Sequence, residues 1–192
     1  AYAFHSMRHY YQHRTLTIRH PKQNLSLAEN FLYMLKGEGK YTKLEADLLD
    51  LLCVLHAEHG GGNNSTFTIR VTSSSQTDIY SAITSGIASL KGPLHGGANL
   101  QVLNMMDNIK ANVKDWSNEH EVSDYLWKIL QKKAGDHSGK IYGIGHAIYT
   151  LSDPRCILLK EKARDLAWEK DKVEEYNLYT LVERLAPEMF AE

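Results

Sequence analysis

GPLHGGAN, residues 92–99, separates two long helical patterns and places His95 among glycines. Glycine gives the backbone freedom to turn sharply and to approach a ligand closely, at a cost in conformational entropy. A histidine that only fills a helical core needs no such surroundings. The segment therefore indicates a turn that leads into a helix, and it indicates a chemical role for His95.

Apolar residues at helical spacing predict a helix on each side of this turn. Before the turn, four apolar residues share one side of a helix: Ile79, Ile83, Ile87 and Leu90. Small residues such as Ala82 and Gly86 lie elsewhere on it, and they permit close packing in a core or at a subunit interface. After the turn, the apolar repeat consists of Val102, Met106, Ile109 and Val113.

Farther from the turn, helix signals account for most of the chain. Ser26 and Thr42 each precede a glutamate by three residues, the capping-box pattern that satisfies backbone amides at a helix start. The helix after Thr42 is so rich in leucine that we predict it to be buried. Residues 66–72 have strand propensity, but no other segment offers a partner strand, so we predict helix there. We predict further helices near 122–130, 155–167 and 173–185, and an all-α fold.

Composition argues against several classes of partner. The 192 residues carry a formal net charge of -1, which gives no broad field to attract nucleic acid or a membrane surface. No run approaches the roughly 18 apolar residues of a membrane span. Cys53 and Cys156 lack the spacing of a disulfide framework or a zinc site, so we predict reduced core thiols. We therefore expect a cytoplasmic protein with no nucleic-acid and no membrane partner.

Three histidines stand beside glycines: His59, His95 and His146. A neutral imidazole donates one hydrogen bond and accepts another, so such rings can polarise carbonyl groups. Ordinary packing in the core or on the surface is the plainer interpretation. A metal site is a further alternative because His56 and His59 are three residues apart. However, no H-E-x-x-H motif accompanies these two histidines.

GPLHGGAN resembles the G-P-x-H-G-x-A-N segment of the citrate synthases. GIGHAIYTLSDPR, residues 143–155, is similar to the family signature G-x-G-H-x-(I/V) with D-P-R after a short spacer. The glycine-rich segment at His59 matches a third motif, and the resemblance covers essentially the whole chain. It implies a citrate-synthase-like multihelical fold. Residues 1–96 would be the central part of the large domain, and residues 97–192 the N-terminal part of an incomplete small domain.

The family condenses acetyl-CoA with oxaloacetate to give citrate and CoA, with no metal and no tightly bound cofactor. The resemblance implies that His95 donates a hydrogen bond to the thioester carbonyl and stabilises the enol or enolate. Ser65 resembles the hydroxyl that orients this ring. By the same resemblance, His146 polarises the ketone of oxaloacetate, while His59 and Arg155 bind oxaloacetate. A guanidinium suits that task because it gives a carboxylate two parallel hydrogen bonds.

The resemblance also implies a set of residues around the CoA moiety of the co-substrate: Leu94, Ile141, Tyr142, Gly143, Ile144 and Gly145. Asp153 is expected to cap the helix that begins near Arg155 rather than to act as the base. The family's general base is an aspartate that would lie beyond Glu192. We therefore expect these residues alone to have little or no synthase activity.

Members of the family are dimers or larger, so a homodimer or higher homo-oligomer is expected, with part of its interface on the helix over 79–90. Within the family, 2-methylcitrate synthase, which uses propionyl-CoA, is the alternative to citrate synthase. From other classes, the alternatives are a helical module that binds a metal through its histidines and a non-catalytic helical fragment retained for assembly.

Overall fold

The computed structural model describes residues 2–57, 60–145 and 153–190. These residues form helices and turns with no strand among them, so the predicted all-α fold is confirmed. In chain order the helices are α1 Tyr2–His13, α2 Leu27–Lys36, α3 Lys43–Leu55, α4 Asn64–Ser74, α5 Ile79–Leu90, α6 Ala98–Asn112, α7 Glu119–Leu130, α8 Pro154–Glu169 and α9 Val173–Met189. The segment with strand propensity lies within α4, as predicted.

The chain divides into two compact units. The first contains α1, α2, α3 and α8, and in it α3 packs against α2 and α8. The second contains α4, α5, α6, α7 and α9, and in it α4 packs closely against α5. The division predicted from the resemblance, 1–96 and 97–192, refers to the large and small domains of the family and stays a prediction.

Two helices begin at the predicted capping boxes. Ser26 Oγ accepts a hydrogen bond from the Glu29 amide at 3.2 Å, and the Glu29 carboxylate accepts one from the Ser26 amide at 2.8 Å. Thr42 and Glu45 repeat the arrangement at 3.2 Å and 2.9 Å. Both predictions are confirmed because the groups involved lie within four residues of one another and need no tertiary partner.

The prediction that α3 is buried is wrong. Ala46 is the single buried residue of α3, and Val54 is 64% exposed. The helix packs against α2 and α8, which cover only part of its surface. A high leucine content shows that a helix has apolar surface to pack against other elements. It does not show how many elements pack around the helix. Cys53 on α3 and Cys156 on α8 are free, as predicted, but both are exposed rather than core residues.

Glu45 joins three elements of the first unit. Its carboxylate accepts hydrogen bonds from Lys36 Nζ at 2.9 Å and from the Thr42 amide at 2.9 Å, and it lies 3.1 Å from Lys170 Nζ. The Lys36 hydrogen bond, followed by those from Thr42 and Lys170, lowers the pKa of Glu45 to about 2. The side chain is 15% exposed, so solvent screens these contacts only partly. Glu45 therefore stabilises the unit in its charged form.

We expect Glu45→Ala to lower the free energy of unfolding by about 1–2 kcal/mol, the usual effect of losing a helix cap plus partly exposed ion pairs. Glu45→Gln keeps the cap and should cost less than Glu45→Ala, because glutamine also completes a capping box. Urea unfolding at pH 7 measures both effects.

The same substitution has a predictable pH dependence. The pKa of Glu45 is lower in the folded chain, about 2, than its ordinary value of 4.5. Its contribution is therefore complete above pH 4.5 and is lost as the pH falls toward 2. The difference between wild type and Glu45→Gln should shrink over that range. A difference that stays constant from pH 6 to pH 3 would contradict the ionic part of this account.

The core of the second unit is formed by α6, α7 and α9. Its most buried side chains are Met106, Ile109, Val122, Leu126, Ile129, Leu178 and Val182. Ile141, from the loop after α7, belongs to the same core and is 5% exposed. Burial of Ile141 anchors the start of the segment 141–145 against this core.

The helix α5 presents its predicted apolar side to solvent. Ile79 is 71% exposed and Ile87 62%, whereas Ala82 and Gly86 are buried. Small residues therefore form the side of α5 that packs within the second unit. The isoleucine side is left without a covering element among the residues that the structure describes.

No helix in the described part of the chain is both long enough and apolar enough to cross a membrane.

Candidate active site

The turn between α5 and α6 is tight enough to require its glycines. A Cβ at Gly96 would overlap the carbonyl oxygen of Leu90, and a Cβ at Gly97 would lie 2.5 Å from the carbonyl oxygen of Pro93. Both obstacles are backbone atoms, which cannot move aside as a side chain can. His95 is therefore held in a compact turn directly before α6, which begins at Ala98.

The ring of His95 is in contact with α4. Its Nε2 lies 2.8 Å from Ser65 Oγ, and the same hydroxyl oxygen lies 3.0 Å from the Gly86 carbonyl oxygen. Asn63 caps α4 by accepting from the Ser65 amide at 2.9 Å, which fixes Ser65 in the first turn of that helix. His95 and Ser65 are both half-buried. Three separate segments thus meet at one hydroxyl group.

The hydrogen on Ser65 decides what His95 offers to a ligand. A hydroxyl has one hydrogen, so Ser65 donates either to Gly86 or to His95 Nε2. In the first arrangement, Nε2–H donates to Ser65, and a neutral ring has only an acceptor at Nδ1. In the second, Nε2 accepts and Nδ1–H is a donor. Nδ1 has no hydrogen-bond partner among the described residues, so it is the nitrogen available to a ligand.

The loop that the resemblance assigns to CoA is held against α6. Gly143 has a φ of +84°, and a Cβ there would lie 2.9 Å from Val102 Cγ2. The Tyr142 amide contacts Met105 Sδ at 3.3 Å. Gly145 also has a φ of +84°, which favours glycine. Leu94, the remaining residue of the set, projects fully into solvent from the turn before α6.

Tyr142 is also fixed through its hydroxyl group, which donates to Asp136 Oδ2 at 2.6 Å. Hydrogen bonds from the Ser138 side chain and then from Tyr142 lower the pKa of Asp136 to about 2. The side chains of Tyr142, Asp136 and Asn108 line a cavity of about 220 Å³. The loop over 135–145 is thus held by hydrogen bonds within the loop and by its contact with α6.

We expect Tyr142→Phe to speed hydrogen exchange of the amides in 135–145 by about five- to tenfold, because one charged hydrogen bond is lost. Exchange measured by mass spectrometry tests this. Tyr125→Phe is the matched control, since its hydroxyl donates to Asn108 Oδ1 at 2.7 Å rather than to the loop. Equal exchange in the two variants would show that the Asp136 contact does not hold the loop.

Arg155 begins α8 beside its own cap. Asp153 accepts from the Arg155 amide at 2.9 Å, which confirms the prediction that Asp153 caps this helix. The Arg155 guanidinium contacts the same carboxylate, with Nε 3.0 Å from Oδ1 and Nη2 2.7 Å from Oδ2. The carboxylate thus orients the guanidinium.

Comparison with known proteins assigns the chain to a family. The family model described as citrate synthase, C-terminal domain, matches residues 1–192. The chain belongs to the citrate synthase family. Citrate synthase from Deinococcus radiodurans is 40% identical over 165 residues, which are 86% of this chain and 40% of that protein. The chain thus spans about 40% of the length of this curated relative.

Two further relatives are similar to most of this chain. A citrate/2-methylcitrate synthase from Bacillus subtilis is 38% identical over 164 residues, 85% of this chain and 40% of that protein. Citrate synthase from Thermoplasma acidophilum, solved as a ternary complex with carboxymethyl-CoA and oxaloacetate, superposes with a TM-score of 0.74 at 29% identity. The superposition covers 98% of this chain and 46% of that structure.

The structure describes several of the predicted site residues. It brings Ser65 into contact with His95 and holds the segment 141–145 against α6, while Arg155 lies in the first unit. His59 and His146 lie outside the described residues, so their predicted roles stay predictions. The same holds for the alternative metal site, which needs His59.

Sequence reasoning missed three contacts: Ser65 with the Gly86 carbonyl, Tyr142 with Asp136, and the Arg155 side chain with Asp153. The contact between Arg155 and Asp153 could have been predicted from the sequence. A carboxylate two residues before an arginine at a helix start can accept hydrogen bonds from both the amide and the guanidinium of that arginine. The first has no local signal, because residues 65 and 86 lie on different helices.

Proposed function

We propose that the complete protein condenses acetyl-CoA with oxaloacetate to give citrate and CoA. The observation that carries this proposal is the contact of 2.8 Å between Ser65 Oγ and His95 Nε2, in a chain that belongs to the citrate synthase family. This contact leaves Nδ1 as the ring nitrogen available to a ligand. Support for the substrates comes from the Thermoplasma relative, which was solved with oxaloacetate and a CoA derivative.

In the proposed reaction, His95 stabilises charge as it forms. A general base removes a proton from the acetyl α-carbon, and the thioester oxygen gains negative charge. Ser65 donates to Nε2, so Nδ1–H of His95 donates to that oxygen. The enol carbon then attacks the ketone carbon of oxaloacetate, and hydrolysis of the citryl thioester releases CoA. A donor fixed where charge develops lowers the barrier because it need not reorient during the reaction.

The remaining roles follow from the family motifs. His146 donates to the ketone oxygen of oxaloacetate, while Arg155 and His59 bind this substrate. Arg155 suits a carboxylate because its guanidinium is planar and already held by Asp153. Leu94 and the segment 141–145 contact CoA. No metal and no tightly bound cofactor takes part in this proposal.

The test is release of free CoA thiol from acetyl-CoA, with citrate identified as the second product. The complete protein should release thiol only when oxaloacetate is also present. Thiol release without oxaloacetate, or no citrate, would contradict the proposal. The same assay on the 192 residues alone tests the expectation that they lack synthase activity, and near-normal turnover would overturn it.

2-Methylcitrate synthesis is the second candidate, because the Bacillus relative carries both activities in its name. Propionyl-CoA differs from acetyl-CoA by one methylene, which a binding pocket discriminates by only about 1–3 kcal/mol. Comparing kcat/KM for the two thioesters in the complete protein decides between them. We expect acetyl-CoA to be preferred, and a preference for propionyl-CoA would select the second candidate.

The isoleucine side of α5 supports a homo-oligomer. It exposes four large apolar residues along one helix: Ile79, Ile83, Ile87 and Leu90. A second copy of the chain that covers this side would remove them from water, which favours association. Light scattering of the complete protein should give a dimer or larger, and a monomer would contradict this. The cytoplasmic location predicted from composition remains a prediction.

A further inference from the structure

Gly86 lies at a close approach between α4 and α5. It is buried, and a Cβ built on it would lie 2.5 Å from Ile69 Cδ1 and 2.6 Å from Ile69 Cγ1. Such distances between carbon atoms are far below van der Waals contact. Isoleucine is branched at Cβ, so its χ1 angle is restricted and it cannot swing aside freely. The present spacing of the two helices therefore requires that position 86 has no side chain.

The same glycine also contacts the hydroxyl of Ser65. The Gly86 carbonyl oxygen lies 3.0 Å from Ser65 Oγ and accepts its hydrogen only when Ser65 does not donate to His95 Nε2. Ser65 and Ile69 are four residues apart in α4, so they lie on one side of that helix and both meet Gly86. The packing contact that sets the helix spacing is therefore one turn away from Ser65, whose hydroxyl contacts His95 Nε2.

We propose that Gly86 is a positioning residue for His95, acting through Ser65. Ser65 Oγ lies within hydrogen-bond distance of both the Gly86 carbonyl and His95 Nε2, and α4 carries it there. A side chain at position 86 pushes α4 away and moves Ser65 out of reach of the ring. Ser65 then no longer fixes which nitrogen of His95 carries the hydrogen. This inference rests on the proposed function, in which Nδ1–H donates to the thioester oxygen.

The kinetic test uses the complete protein. Gly86→Ala should lower kcat by about tenfold, the loss expected when Ser65 no longer contacts His95, with KM for oxaloacetate little changed. Gly86→Ala with Ile69→Ala removes Cγ1 and Cδ1, the two atoms in conflict, and should recover most of that loss, as coupling between residues in contact allows. A double variant no more active than Gly86→Ala would overturn the role of the Ile69 contact.

Ala82→Gly is the matched control for a general loss of packing. Ala82 is buried on the same side of α5, one turn before Gly86. The substitution loosens α5 without pushing α4 away, so it should lower the unfolding temperature but leave kcat nearly unchanged. An equal loss of kcat in Ala82→Gly and Gly86→Ala would show that Gly86 has only a structural role, and it would overturn the proposal.

A spectroscopic test separates this inference from the proposed function. The ¹⁵N shifts of the His95 ring in the 192-residue chain report which nitrogen carries the hydrogen, and they need no substrate. Gly86→Ala should change these shifts, and Ala82→Gly should not. Unchanged shifts in Gly86→Ala would overturn the inference. Changed shifts in a protein without condensation activity would support the inference and contradict the proposed function instead.

If Gly86→Ala does not fold, the double variant carries the test, with Ile69→Ala alone as its reference. Ile69→Ala keeps the glycine and should retain the wild-type His95 shifts. We expect the double variant to share them, because its new methyl group occupies the vacated space. A double variant that folds but has the shifts of a Ser65→Ala chain would overturn the proposal.

Discussion

His95→Ala in the complete protein should lower kcat for condensation by about 10²- to 10⁴-fold, the range expected when a fixed donor to a developing negative charge is lost. KM for oxaloacetate should change little, because in this account His95 contacts the thioester rather than the keto acid. Steady-state thiol release, measured at saturating oxaloacetate, gives kcat directly.

Two controls sharpen this experiment. His120→Ala removes an exposed histidine of α7, whose Nδ1 lies 3.6 Å from Asp124, and it should leave kcat unchanged. Ser65→Ala keeps the ring but removes its partner, so the loss should be intermediate, about tenfold for one hydrogen bond. A His95→Ala variant within a few-fold of wild type would remove His95 from the mechanism. A Ser65→Ala variant with normal kcat would show that the contact at Nε2 has no part in catalysis.

Gly96→Ala should have the largest effect on stability, a loss of roughly 2–4 kcal/mol in the free energy of unfolding. The new Cβ overlaps the Leu90 carbonyl oxygen, so the backbone of the turn must move. Urea unfolding at pH 7 measures this loss. The displaced turn carries His95, and kcat should fall with it.

Gly92→Ala in the same turn provides a graded comparison. A Cβ there would lie 3.3 Å from the Ser89 carbonyl oxygen, a tight contact that a small shift relieves. We expect a loss below about 1 kcal/mol, typical of a mild steric change. Equal losses at positions 92 and 96 would contradict the argument that backbone overlap makes Gly96 essential.

The elements that could be predicted from the sequence are those set by neighbouring residues. The capping boxes at Ser26 and Thr42 are complete within four residues, so these helix starts can be predicted from the local sequence alone. Helix at residues 66–72 could not be predicted from local propensity, which favours a strand there. It was predicted because no other segment of the chain offers a partner strand. The position of His95 directly before a helix likewise followed from the glycines around it.

The predictions that were wrong concern what surrounds a helix. The leucines of α3 and the two cysteines were assigned to a core, yet Val54, Cys53 and Cys156 are exposed. Periodicity shows which residues share a side of a helix, but it does not show what packs against that side. On α5, the small residues Ala82 and Gly86 face inward, while the isoleucines remain outside. Which side is buried depends on the partner helix, and that information lies elsewhere in the chain.

The long-range contacts of the candidate site could not be predicted from residue spacing either. The contact between Ser65 and His95 came from resemblance, because no rule of spacing joins positions 30 residues apart. The Gly86 carbonyl had no sequence signal at all, since any residue has a carbonyl. Only the distance between α4 and α5 shows why this position has to be glycine.

A crystal structure of the complete protein with oxaloacetate and carboxymethyl-CoA shows whether His95 contacts the thioester group. We expect His95 Nδ1 to lie about 2.6–3.2 Å from the ligand oxygen that replaces the thioester carbonyl oxygen, while Nε2 keeps its contact with Ser65. A ring that turns Nδ1 away from the ligand, or a Ser65 that no longer contacts Nε2, would contradict this expectation.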